Sequence, residues 1–238
     1  MRQPLSGMPE PHPVTPTARP RGFALLRTRE VLVPTWRGWL LLLAVGALLA
    51  FAAARWTHPF LAMNKPVPGG VLVVEGWVPD YVMTHAGDEF RRGGYRTLCV
   101  TGGPIEKGTP FAEHQTFAEF GAATLQRLHP ELLVHAVPAP YVRQDRTFAS
   151  ALALRDWCRE RGLDARRITV ISLAVHSRRT RLLFDYAFGS SSEIGIIAIE
   201  DQSYPAARWW ATSSGVRMVV GEVVGYLYAR LFFRPGVS

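Results

Sequence analysis

From residue 71 onward, short unbroken apolar runs alternate with longer stretches whose apolar positions recur at helical spacing. The runs are 71–75 (VLVVE), 96–101 (RTLCVT), 132–137 (LLVHAV), 168–173 (ITVISL) and 194–199 (IGIIAI). None alternates polar with apolar, as half-exposed strands do, so each reads as a strand covered on both faces. The stretches 79–93, 111–128, 146–162 and 177–189 read as helices, the first opening on Pro and Asp and closing at Gly93. Strand–helix alternation of this kind predicts right-handed crossovers: an α/β, doubly wound, Rossmann-like and mainly parallel sheet of about five strands, helices on both faces. Ligands of such sheets bind outside the carboxyl ends of the strands, near the point where strand order reverses.

A different run precedes this region. Between Arg37 and Arg55 stand 17 uncharged residues, GWLLLLAVGALLAFAAA, spanning about 26 Å as a helix. Trp36, Trp39 and Trp56 flank it as interfacial anchors do. A core helix would show a polar face, and this run shows none. Ala52–Ala54 offers an A-x-A cleavage site, but a leader of more than 35 residues favours an uncleaved anchor. Arg19, Arg21, Arg27, Arg29 and Arg37 precede the run and only Arg55 and Lys65 closely follow it. The positive-inside rule then expects a single pass through the inner (cytoplasmic) membrane, N-terminus cytoplasmic and C-terminal domain periplasmic or otherwise extracytoplasmic. The expected organisation is a basic, largely disordered leader (1–37), an anchor in the lipid bilayer (38–56), a Pro/Gly-rich linker (57–70) and an α/β domain (71–238). That domain closes on a packing helix, because Glu222 and Arg230 interrupt the last apolar stretch and argue against a second span.

Charge adds an exclusion. The formal net charge is +8, shared between the leader and the domain; the domain is only mildly basic and carries no nucleic-acid-binding pattern, so nucleic acid is not an expected partner. Two cysteines, Cys99 and Cys158, exclude a disulfide framework and read as buried thiols, with a single bridge the alternative. His85, His114, His129 and His135 lack metal-ligand spacing and read as surface residues; no metal site is expected.

The strand ends supply the candidate chemistry. Glu75 closes the first strand, where an unpartnered carboxylate is rare. Thr101, Gly102 and Gly103 follow the second, a turn able to bring backbone amides to a ligand. Glu113 stands near the start of the second helix, and Asp145, Arg146 and Thr147 open the third. After the fourth strand come His176, Arg178 and Arg179, cations in a helix first turn where the macrodipole disfavours them. A bound phosphate or carboxylate would reverse that penalty, so these arginines and the glycine pair are expected to hold an anion. His176 and Glu75 are the expected proton-handling pair, with the neighbouring arginines lowering the histidine's pKa. No Walker, dinucleotide or GxSxG fingerprint is present, and the sequence names no cofactor.

The segments VLVVEGWVPD, TGG…E, DRTFASA, the strand-plus-HSRRTR stretch, RWW at 208–210 and EVVGYLYARLF together resemble the YdcF-like family of SanA- and ElyC-type bacterial envelope proteins, over roughly Val71 to Phe233. Glu75 stands where that family often has glycine, and Asp145–Thr147 where it often has Asn-Thr. The resemblance implies an envelope location and a role in cell-wall or surface-glycan biogenesis. The expected function is binding or processing of a phosphate-bearing substrate, a lipid-linked glycan or phosphodiester. The alternatives are a non-catalytic, anion-sensing regulator of wall synthesis and a nucleotide- or S-adenosylmethionine-like binder.

Overall fold

A computed structural model describes residues 31–105 and 113–235. Contacts divide the chain into two units, residues 1–44 and 45–238. The first described helix, α1 (Trp36–Leu61), is long and apolar enough to cross a membrane. It continues past the expected end of the anchor at residue 56, so the first five residues of the expected 57–70 linker are helical.

Then follow β1 (Val71–Glu75), α2 (Asp80–Arg92), β2 (Thr97–Gly102), α3 (Phe117–Leu128), β3 (Val134–Pro138), α4 (Arg146–Glu160), β4 (Arg167–Leu173), α5 (Ser177–Phe188), β5 (Glu193–Ile199) and α6 (Ser213–Leu231). The five strands form one parallel sheet in the order β3-β2-β1-β4-β5. The chain moves from β1 outward through β2 to β3, then returns to β4 on the other side of β1. The reversal of strand order therefore lies between β1 and β4.

Alternate strand residues enter two cores. Val71, Val73, Cys99 and Val170 pack against α4 and α5 through Leu154, Cys158 and Phe184. Leu72, Val74, Leu98 and Val100 pack against α2 and α3 through Val82, Met83 and Leu125. Full burial on both faces explains the unalternated strand runs; each such side chain contributes about 1.5–3 kcal/mol. Cys99 and Cys158 are separate free thiols in the first core.

Two local features depart from the sequence expectation. Helix α3 begins at Phe117, not 111, because Thr116 and Glu119 form a capping box: Glu119 N–H donates to Thr116 Oγ1 at 3.2 Å and Thr116 N–H to Glu119 Oε2 at 3.0 Å. His129, expected on the surface, is buried, its ring lying on Gly87 of α2 where any Cβ would collide.

The exposed edge of β5 is covered. Lys65 exchanges backbone hydrogen bonds with Ile196 at 2.7 and 3.0 Å, and the Thr169 hydroxyl is bonded to both the amide and the carbonyl of Val67. The end of α1 joins a third core, where Leu61 packs with Val175, Tyr204, Trp209 and Val219.

Candidate functional site

Glu75 is the last residue of β1 and only 4% exposed, on the α4/α5 side of the sheet with Val71 and Val73. In register beside it on β2 is Thr101, and β4 contributes Ser172. The hydroxyls of Ser172 and of Thr180 in α5 donate to the two Glu75 carboxylate oxygens. His176 follows β4 in a single 3-10 turn and is 8% exposed. The strand reversal thus brings the ends of β1 and β4 together and sets the two expected proton-handling residues side by side: His176 Nε2 lies 3.5 Å from Glu75 Oε1.

The other face of the imidazole is held from α6. His176 Nδ1 donates to Glu222 Oε1 at 2.8 Å, and Arg179 grips the same carboxylate through Nε (2.9 Å) and Nη2 (3.0 Å). Gly225 in α6 leaves room for this: a Cβ there would stand 3.1 Å from Arg179 Nε. Trp77, in the loop after β1, closes the remaining side edge-on, 5.1 Å from the imidazole by ring centroids.

Electrostatics follow from these contacts. Burial disfavours a charged His176, but the Glu75 and Glu222 carboxylates outweigh it and push its pKa up to about 9. The expectation of a lowered histidine pKa is corrected. The nearby guanidinium of Arg179 is already neutralised by Glu222, so the imidazole feels the carboxylates more than the arginines. Burial pushes Glu222 up, yet His176 and Arg179 hold it down at about 2. Glu75 is likewise below its ordinary range: the His176 charge, helped by Ser172 and Arg179, overcomes desolvation. At neutral pH the quartet Glu75, His176, Arg179 and Glu222 sums to zero charge, with the imidazolium as a proton donor.

No protein-family profile, curated protein or solved structure matches this chain.

Among the described residues, two buried side-chain polar atoms lack a hydrogen-bond partner: His176 Nε2 and Thr101 Oγ1. Both belong to the immediate neighbours of Glu75, one at 3.5 Å and one in strand register. Buried polar atoms are seldom left without a hydrogen bond; Nε2 has the ion pair to Glu75, which leaves the Thr101 hydroxyl as the atom without a partner. Backbone strain clusters at the same edge. Ala174, two residues before His176, has φ of 38°, and Asp145, at the start of α4, has φ of 58°.

The remaining sequence-predicted residues have various placements. Arg178 stacks its guanidinium 3.9 Å over the Phe60 ring and donates Nε–H to the Phe60 carbonyl. Arg179 is engaged by Glu222, so an anion at its fork must compete with that carboxylate. Gly102 is packed against α3, where a Cβ would stand 2.6 Å from Phe117 Cβ; Gly103 has open space, with Pro140 O 3.8 Å from such a Cβ. Asp145 precedes α4 without a side-chain cap bond, and Arg146 and Thr147 open that helix. Glu113 is exposed, four residues short of α3, and touches neither Glu75 nor His176; Glu119 is the first-turn carboxylate.

Sequence reasoning left out Ser172, Thr180, Trp77 and above all Glu222. The signal for Glu222 was present as the one carboxylate within the apolar stretch of α6.

Proposed function

We propose that this chain is a membrane-held envelope protein that binds or processes a phosphate-bearing substrate, a lipid-linked glycan or phosphodiester, at the carboxyl edge of its sheet. The observation that carries this reading is the charged His176 clamped between Glu75 and Glu222 at the strand reversal, its Nε2 3.5 Å from Glu75 Oε1 and the Thr101 hydroxyl without a hydrogen-bond partner beside them. In this reading the chain is anchored by α1 in the cytoplasmic membrane with its domain outside, as the flanking charges favour. The resemblance to the YdcF-like family is what leads to envelope glycans.

The chemistry that fits is proton transfer. In phosphodiester hydrolysis the His176 imidazolium gives its Nε2 proton to the departing oxygen as the P–O bond breaks. A water oxygen forms the new bond to phosphorus, and Glu75 takes the proton that water loses. Trp77 must swing aside to admit the substrate. The anion is held by backbone amides and by the Arg178 N–H groups that Phe60 leaves unbonded.

The test is turnover of a polyprenyl-diphosphate glycan, and of an activated phosphodiester, by the full chain in lipid nanodiscs. His176→Gln and Glu75→Gln are expected to lower the rate by about 10²–10⁴-fold. Unchanged turnover in both variants, or none in the wild type, overturns the enzymatic reading. A second reading has its own observation: the quartet is charge-neutral and ties α6 to the sheet, as a purely structural network would. Wild-type affinity for the phosphorylated glycan without turnover, retained in His176→Gln, would favour a non-catalytic sensor.

A further inference from the structure

A groove of about 530 Å³ opens between the start of α4 and the end of α6, outside the Glu75–His176–Arg179–Glu222 quartet. Its size falls within the range of small-ligand sites, about 300–1,000 Å³. Its floor is apolar and aromatic. Phe148 and Leu152 come from α4; Tyr228 comes from the last turn of α6, and Phe232 and Phe233 directly follow that helix. The walls are set by ring packing, with Phe233 edge-on to Phe148 at 5.0 Å and stacked on Tyr186 at 6.1 Å.

The rim has the opposite character. Arg143 and Arg234 line it from the two sides, against the single carboxylate of Asp145. The first turn of the 15-residue α4 also faces this end. It contains no acidic residue, and Asp145 makes no side-chain bond to its amides. An apolar trough ending at two guanidinium groups and a helix N-terminus suits one kind of occupant: a molecule with an apolar chain and an anionic head.

A second observation points to lipid rather than to a soluble anion or a peptide. The outward face of α6 carries Val216, Val220, Val224, Leu227 and Leu231, all exposed and spaced three or four residues apart, and leads to Phe232 in the groove. At the beginning of this track, Trp210 packs on Phe51 of α1 at 6.3 Å, and Trp209 Nε1 donates to the Ala54 carbonyl at 2.9 Å. Phe51 and Ala54 belong to the uncharged run that qualifies α1 as a membrane span. The apolar track of α6 therefore starts beside the part of α1 that carries Phe51 and Ala54 and ends at the groove.

We infer that the groove between α4 and α6 is a binding site for a single-chain anionic amphiphile that reaches it along the exposed face of α6. The inference rests on the proposed function and adds a groove for the apolar chain of a lipid-linked substrate, with a rim that holds a second anionic group beside the one assigned to Arg178. The groove lies close to the quartet: Tyr228 stands six residues past Glu222, about 9 Å along the helix. Asp145 is near enough to act electrostatically on Arg179.

The experiment uses the full chain in phosphatidylcholine nanodiscs and a diazirine-bearing decyl phosphate, with photo-adducts mapped by mass spectrometry. Adducts are expected on 142–152 and 228–234, suppressed by excess decyl phosphate but not by decanol or inorganic phosphate. Arg143→Glu with Arg234→Glu, both exposed positions, should lower labelling about tenfold or more. Leu152→Trp should block labelling sterically. Adducts confined to other segments, equal competition by decanol, or full labelling of the doubly reversed variant would overturn the inference. Competition by inorganic phosphate alone would overturn it too, assigning the rim to a free anion. His176→Gln should label as wild type does, which separates the two readings. Labelling without turnover removes the catalytic reading and keeps the groove, and turnover without mapped labelling does the reverse.

Discussion

Glu222, on the last helix, accepts from both His176 (2.8 Å) and Arg179 (2.9 and 3.0 Å), residues that open α5 more than 40 positions earlier. A single carboxylate thereby fixes the imidazole's orientation, raises its proton affinity and fastens α6 to the sheet edge.

Removing that carboxylate leaves the partly buried Arg179 without its counter-ion and His176 with Glu75 alone. Glu222→Ala is expected to destabilise the domain by about 3–5 kcal/mol, and Glu222→Gln by less, since the amide oxygen still accepts. Thermal denaturation in detergent micelles measures both. A loss within about 0.5 kcal/mol for Glu222→Ala, the size of an ordinary surface substitution, would show that the quartet is not formed.

Stability should depend on pH through the same groups. His176 binds its proton more tightly folded than unfolded, at about 9 against an ordinary 6.5. Its contribution is therefore complete below pH 6.5 and is lost as pH rises through about 9. Glu222 behaves oppositely: held at about 2 against 4.5, it contributes fully above pH 4.5 and loses that contribution as pH falls toward 2. The quartet accordingly stabilises most between pH 4.5 and 6.5. Melting temperatures across pH 3 to 10 should decline on both sides, and His176→Asn should flatten the alkaline limb. An alkaline limb unchanged in that variant would contradict the assigned histidine.

The glycine pair separates packing from ligand approach. Gly102→Ala forces a Cβ to 2.6 Å from Phe117 Cβ and 3.0 Å from the Ala118 amide nitrogen. A loss of about 1–3 kcal/mol is expected, as for overpacking elsewhere. Gly103→Ala meets nothing closer than 3.8 Å and should stay within about 0.5 kcal/mol. Equal melting temperatures for the two variants would refute this assignment.

Both thiols should resist modification in the folded protein. Burial pushes Cys158 up to about 11, and Cys99 further, so neither offers thiolate at neutral pH. Titration with a charged disulfide reagent should consume no thiol before unfolding and two after it. Rapid reaction of either cysteine in native protein would place it outside the core described for it.

The sheet was legible in the sequence because its strands are buried on both faces, which leaves unbroken apolar runs as their trace; β1 matched residue for residue. The start of α3 was less so. Phe111 and Ala112, ahead of Phe117, continue a helical spacing in the sequence, while the Thr116–Glu119 box that ends it is a four-residue signal. The meeting of Glu75 with His176 followed from the general rule for parallel sheets, since both close strands flanking the reversal. The histidine's charge was misread for a physical reason. Sequence shows the arginines adjacent to His176 but not the carboxylate that arrives from α6, and proton affinity is set by distance in space.

The last turn of α1 carries a mechanical implication. Ser177 donates to the Leu61 carbonyl at 3.1 Å and Arg178 to that of Phe60, so the end of α1 grips the very residues that come after His176. A pull along α1 loads α5 directly, with no slack coil to absorb it, and versions trimmed at residue 70 would lose a structural member along with the apolar helix.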